Sequence, residues 1–338
     1  MLTDRRASIL QFVVREYIDS AIPVGSQTIV GKYGLDASPA TVRNEMVRLE
    51  EEGYLTQPHT SSGRIPADMG YRYYVESLME DEELSEELKR TIRHQFYQVG
   101  PALEAWAQLT AAILARSVEN LALVTAPHPA RARLRRLELV EMADVLVLLV
   151  VVLQEGHLRE ETLALERSLS QEELSRAAQR LSRLFGGLSA EQIQQKAVEL
   201  SPFEDKVAQA VIRVLQAEDE SIYEPAYLDG LRNILSQPEF SQRQAMLDFL
   251  DVLDERSLPR LIPFHWAVPG RVTIIIGGEN PQDAMRQCSV VVARYGRPGG
   301  MSGALGVLGP TRLPYSRASS MVRYMGSLLD ELVSLYYS

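Results

Sequence analysis

Arg43 and Asn44 are adjacent in the stretch ASPATVRNEMVRLEEEGY, residues 37 to 54. Their side chains suit base edges in the major groove of a duplex: a guanidinium matches the two acceptors of guanine, and a carboxamide matches adenine. Thr41 is close enough in sequence to assist. Ser38 and the free amides of a following helix can meet a phosphate. Gln27, near the start of SQTIVGKY, joins the same DNA-binding set. A second group follows in QPHTSSGRIP, residues 57 to 66. Here the hydroxyls of Thr60, Ser61 and Ser62 can donate to phosphate oxygens, Arg64 brings charge, and His59 donates when protonated. Gly63 would let the backbone come close to a ligand.

The elements that must position these groups are legible in pattern. Ile9, Phe12, Val13 and Tyr17 form one apolar stripe, predicting a helix from a Thr3 cap to about Ser20. IPVGS breaks the chain, and a short helix begins at Ser26 and ends at Gly34. Ser38 and Pro39 are a good cap and first helical residue for a third helix, ended by Gly53. In that helix Val42, Met46 and Leu49 face inward, and Ala40, Arg43, Asn44, Val47 and Glu51 lie opposite. Leu55 and Ile65 flank a Ser/Thr/Gly loop, which predicts a hairpin with a long tip. Three helices and a hairpin make a winged helix-turn-helix, in which the second helix of the turn enters the major groove. A plainer reading stays open. Winged helices also bind proteins, and Arg and Asn on an exposed face are ordinarily just solvated. Residues 1 to 75 hold eight Lys/Arg and nine Asp/Glu, a net of −1.

The whole chain has 338 residues, enough for two or three domains, and a net charge of −10. That charge argues against bulk nucleic-acid binding, so any DNA contact rests on local geometry. The one cysteine, Cys288, excludes an internal disulfide framework and fits a reducing compartment. MLTDRRASIL has no signal-peptide core, and VLVLLVVVL (145 to 153) is too short to span a membrane. It reads as a buried strand. The expected location is the cytoplasm, with no membrane partner.

Further along, YRYYVESLM packs aromatic residues Tyr71, Tyr73 and Tyr74 at a helix start, and the acidic run EDEELSEE (80 to 87) reads as a solvated face or hinge. Residues 88 to 120 are helical in pattern. LALVTAP, RARLRRLELVEM, VLVLLVVVLQEG and LREETLAL are strands, followed by helices at about 170 to 187 and 203 to 217. Arg131, Arg133, Arg135 and Arg136 are either a second phosphate site or a charged strand face. The apolar central strand suits a symmetric interface. RVTIIIGGE, CSVVVARY and GALGVLG are strands, and a closing helix carries Met321, Tyr324, Met325, Leu328 and Leu332 in one stripe. Enzymatic signatures fail. GSQTIVGK has one residue too many for a phosphate-binding loop and Tyr33 in place of Ser/Thr. The five His residues (59, 94, 128, 157, 265) have no metal-ligand spacing. No catalytic residue, cofactor or metal is expected.

The run PVGSQTIVGKYGLDASPATVRNEMVRLEEEGYLTQPHTSSGRIPADMGYRYYV resembles the N-terminal region of the heat-inducible transcription repressor family HrcA. YLDGLRNILSQPEF (227 to 240), IIIGGEN (274 to 280) and GALGVLGPTRLPYSR (303 to 317) also resemble it, with Leu313 where the family usually has Met. The middle, about 131 to 221, matches only in general pattern. The resemblance implies an α+β multidomain fold: a winged helix over 1–75, a GAF-like α/β domain over 76–130 and 222–338, and an inserted α+β dimerisation domain over 131–221. It implies repression of chaperone operons of the groE and dnaK type. The partners implied are double-stranded DNA carrying the CIRCE inverted repeat, a second copy of the chain in a homodimer, and the chaperonin GroEL, which supports activity until heat shock. A GAF-like domain also invites a small-molecule-sensing repressor, with Glu279, Asn280, Thr311 and Arg312 as the contact set. The same four residues could instead tie loops together or meet across a dimer.

Overall fold

The computed structural model describes residues 2–59, 62–100, 102–129, 131–143, 145–154, 158–165, 167–220, 226–241, 246–247, 249–250, 267, 270–296 and 301–336. It is a mixed α/β chain in two compact units. One comprises Met1–Pro127, Glu224–Arg297 and Gly303–Ser338, and the other His128–Tyr223 and Pro298–Ser302.

The first unit opens with α1 (Asp4–Ser20), α2 (Ser26–Tyr33) and α3 (Pro39–Glu51), then strands β1 (Leu55–Thr56) and β2 (Ile65–Pro66). Helix α1 buries Ile9, Leu10, Val13 and Val14. The predicted stripe is therefore shifted: Phe12 and Tyr17 are half-buried, and Phe12 stacks on Tyr33 at 4.3 Å. Thr3 occupies the cap position, but its side chain accepts no hydrogen bond there. Ser38 does cap α3, accepting the Thr41 N–H at 3.1 Å, with Pro39 in the first turn. Val42, Met46 and Leu49 are buried as their spacing requires. Gly34 closes α2 at φ 60°, a conformation that favours glycine.

Helix α4 (Asp68–Tyr73) follows the hairpin and runs into a π-turn, Tyr74–Leu78. Tyr71 and Tyr74 are buried. The acidic run is not a free hinge. Asp81 pairs with Arg323 at 2.5 Å, Glu82 pairs with Arg317 at 2.6 Å, and Leu84 is buried. Helices α5 (Glu86–Val99) and α6 (Leu103–Val118) lead to β3 (Leu121–Thr125).

The second unit begins with β4 (His128–Pro129), followed by β5 (Leu134–Ala143), β6 (Leu146–Leu153) and β7 (Leu158–Ala164); the last three form an antiparallel sheet with β6 in the middle. Helices α7 (Gln171–Phe185), α8 (Ala190–Gln195) and α9 (Pro202–Glu220) complete it. α7 and α9 pack on the sheet, and Leu149, Val151, Leu174, Leu181, Phe185, Val207, Val211 and Leu215 share one core. Strand β6 is apolar throughout but alternates in burial. Val147, Leu149, Val151 and Leu153 are buried, whereas Leu148, Val150 and Val152 are half-buried and Leu146 is exposed. The expectation of a fully buried strand holds for one face only. Of the arginine run, Arg131 pairs with Glu191 at 2.5 Å and Arg133 donates to the Gly187 carbonyl at 3.1 Å.

The first unit resumes with β8 (Ala226–Asp229), α10 (Leu231–Leu235), β9 (Val272–Ile276), β10 (Cys288–Gly296), β11 (Met301–Pro310) and α11 (Tyr315–Tyr336). Its sheet runs in the order β8-β3-β11-β10-β9. α6 and α11 pack against each other and against the sheet. α11 buries more than the expected stripe: Ala318, Val322, Leu329 and Val333 join Met321, Met325 and Leu328, while Tyr324 and Leu332 are only half-buried.

Candidate nucleic-acid interface

Arg43 and Asn44 lie on the exposed side of α3, one turn beyond its capped N-terminus. Neither side chain has an ion pair or hydrogen-bond partner among the described residues. Ala40 beside them is exposed, Thr41 is half-buried, and Gln27 is exposed on α2. Thr41 and Ser38 are engaged with each other, their hydroxyls 2.9 Å apart. Arg48 is a further exposed cation on the flank of α3, without an ion-pair partner among the described residues, which the sequence pattern did not single out.

The acids of α3 are largely neutralised from within. Arg6 of α1 reaches Glu45 at 2.8 Å and Glu52 at 2.6 Å. The hydrogen bond to Glu45 raises the Arg6 guanidinium above its ordinary value. Arg64 pairs with Glu50 at 2.8 Å. Among the described acids of α3, Glu51 is the one exposed on the Arg43 side without such a partner, about 12 Å along the axis from Arg43 at ~1.5 Å per residue. The near-zero net charge of this segment therefore hides a local cationic end.

The hairpin is built differently from the expectation. Val24, in the break between α1 and α2, bonds to Arg64 through both backbone groups at 2.9 Å, adding a third strand residue. A Cβ on Gly63 would lie 2.5 Å from the Val24 carbonyl. Gly63 thus serves this close approach within the chain. Ser62 is turned inward as well: its Oγ donates to the His59 carbonyl at 2.7 Å, and its own carbonyl accepts from Gln57 Nε2 at 2.9 Å. Arg64 is mostly buried and committed to Glu50. Of the expected wing contacts, His59 is exposed, Ser62 and Arg64 hold the hairpin together, and Thr60 and Ser61 lie outside the described residues.

Glu279, Asn280, Thr311 and Arg312 each bond to neighbouring segments of the chain. Asn280, buried, donates its Nδ2 to the carbonyls of Gly277, Met285 and Cys288 at 2.8 to 3.0 Å. Glu279 accepts the Ile276 N–H at 2.9 Å and pairs with Arg72. Thr311 donates its N–H to the Gln287 carbonyl at 3.1 Å, and its own carbonyl accepts from the Tyr315 hydroxyl. Arg312 grips Glu239 at 2.7 Å. These contacts tie neighbouring segments together. Among the described residues no group of His, Cys, Asp and Glu could hold a metal, and no helix is long and apolar enough to cross a membrane.

Known proteins place this geometry in a family. The family model "HrcA protein C terminal domain" matches residues 104–318. Heat-inducible transcription repressor HrcA of Roseiflexus castenholzii is 44% identical over 345 residues, covering 99% of this chain and 96% of that protein. Its namesake from Dehalococcoides mccartyi (strain ATCC BAA-2266 / KCTC 15142 / 195) is 41% identical over 337 residues, covering 100% and 97%. A crystal structure of a protein described only as hypothetical shares the fold, at a TM-score of 0.57 and 23% identity over 99% of this chain and 98% of that one. The chain belongs to the family of heat-inducible transcription repressors HrcA.

Proposed function

We propose that this repressor binds DNA through a winged helix formed by α1 to α3 and the β1–β2 hairpin, with α3 in the major groove. The observation that carries the reading is the pair Arg43 and Asn44, exposed and unpartnered on a capped helix whose neighbouring carboxylates are held by Arg6 and Arg64. Arg43 reads guanine and Asn44 adenine, with Thr41 beside them. Ser38, Gln27 and His59 contact the phosphates, and by residue type Thr60 and Ser61 join them. Arg64 and Ser62 act by holding the hairpin in place.

The domain scheme that supports this activity is a winged helix over 1–75, a GAF-like domain over 76–130 and 222–338, and a dimerising insertion over 131–221. The uncovered side of the β5–β6–β7 sheet supports the dimer. In β6, Leu148 stands opposite Val140 and Thr162, and Val152 opposite Arg136 and Leu158, so one row of apolar groups runs along its outer side. Val140 and Leu158 are 44% and 58% exposed, an apolar stretch that a second copy would cover. The operator is the CIRCE inverted repeat ahead of chaperone operons, matched by the twofold axis of the dimer. GroEL maintains the active form in the cytoplasm, and heat-denatured protein draws it away.

The test is fluorescence anisotropy of a labelled CIRCE duplex and a scrambled duplex, before and after a heat pulse, with and without GroEL. Selective binding that fades on heating and returns with GroEL supports the account. Equal weak binding to both duplexes in every condition overturns it.

A further inference from the structure

Several charged groups fasten the segment carrying α1 to α4 to the rest of its unit. Arg312, in the turn between β11 and α11, binds Glu239 through Nε at 2.7 Å and Nη2 at 3.2 Å. Nη2 also donates to Gln237 Oε1 at 2.5 Å, and Nη1 reaches the Ile18 carbonyl at 3.4 Å. Ile18 lies in the last turn of α1, which has no basic residue of its own. Arg312 supplies the cation that the negative end of that helix favours. Its side chain is only 12% exposed.

A second fastening lies at α4. Arg72 pairs with Glu279 and donates to the Ile274 carbonyl at 2.8 Å, and Asp68 accepts the Gly278 N–H at 2.8 Å. Gly277 has φ +50°, and a Cβ there would lie 2.3 Å from Asp68. The third fastening is the pinned acidic run, Asp81 to Arg323 and Glu82 to Arg317. Between them the Tyr71 and Tyr315 rings meet at 5.8 Å.

Paired charges of this kind add little net stability compared with apolar packing. Their strength is geometric, because a planar fork on a carboxylate fixes orientation. We infer that Arg312 and Arg72 are positioning residues that fix the angle of the DNA-reading helices and so set the half-site spacing the repressor accepts. The inference rests on the proposed reading that α3 contacts DNA and the chain acts as a dimer. Engaging two half-sites at once multiplies affinity by about 10² to 10⁴, and only if the geometry allows both contacts together. A head free to swing accepts more spacings and gains less at the right one.

The experiment uses full-length protein and the double variant Arg312→Met/Arg72→Met, which keeps the side-chain stems and removes the forks. Affinities are measured for a single half-site, for an inverted repeat of CIRCE spacing, and for a repeat whose spacer is changed by about 5 bp, half a helical turn. Wild type should prefer the CIRCE spacing by about a hundredfold. The variant should bind the half-site as wild type does and lose at least about tenfold of that preference. A second variant, Glu239→Gln/Glu279→Gln, leaves both arginines in place, neutralises their carboxylate partners without changing volume, and should shift the spacing preference in the same direction. Full spacing preference in both variants, with half-site binding intact, overturns the positioning role alone. Failure of wild type to bind the half-site selectively overturns the DNA reading, and the inference with it.

Discussion

Arg64 and Glu50 meet between the hairpin and the outer flank of α3, with Nε and Nη2 of the arginine 2.9 and 2.8 Å from one carboxylate oxygen. The contact fixes the hairpin against α3 and neutralises a negative charge on it. Arg64→Ala should lower stability by about 1–3 kcal/mol, because it leaves a half-buried carboxylate without its partner. DNA affinity should fall evenly across sequences, since no base contact is lost. Adding Glu50→Gln should recover part of both. Thermal unfolding and anisotropy on operator and mismatched duplexes check this.

Gly63→Ala places a methyl group 2.5 Å from the Val24 backbone. Overpacking of that severity costs about 1–3 kcal/mol. The expected result is a lower melting temperature and weaker operator binding, and Gly34→Ala, where nothing lies within 4 Å, should show only the smaller cost of its positive φ. Equal effects at the two positions would contradict the third-strand role of Val24.

Val150→Asp introduces a charge into the middle of the uncovered β6 row, opposite Glu138 and Glu160. The side chain points away from the core shared with α7 and α9, so the fold should persist. Light scattering should show a dimer for wild type and a monomer for the variant, with unchanged circular dichroism. A dimeric variant would place the interface elsewhere.

Cys288 is buried, and burial pushes its thiol up to about 12. At pH 8 only about one thiol in ten thousand is then ionised, and the thiolate is the reactive form. A thiol reagent should label the native protein slowly and the urea-unfolded protein at once. Oxidative control of the repressor through this residue would appear as fast native labelling.

Helix α3 was legible because its signals are local: a cap at Ser38, Pro39 in the first turn and Val42, Met46, Leu49 at helical spacing. The same holds for the hairpin strands around Leu55 and Ile65. What the sequence hid depends on partners brought together by folding. Val24 contributes one bridge, too short for any periodicity. Ser62, Gly63 and Arg64 have the types expected of a phosphate-facing tip, yet their neighbours Val24, His59 and Glu50 turn them to internal work. The acidic run reads as a hinge because Arg317 and Arg323 stand 235 and 242 residues away from their partners. Strand β6 is apolar at every position, and a pattern without alternation cannot say that one face lies open.

The most direct measurement compares wild type with Arg43→Ala/Asn44→Ala by anisotropy on a CIRCE duplex and a scrambled duplex at two salt concentrations. The account predicts tight selective binding by wild type, and a loss of about 1–3 kcal/mol for each base contact removed, with selectivity gone and the folded state unchanged. Undiminished selective binding by the double variant would contradict the assignment of sequence reading to α3.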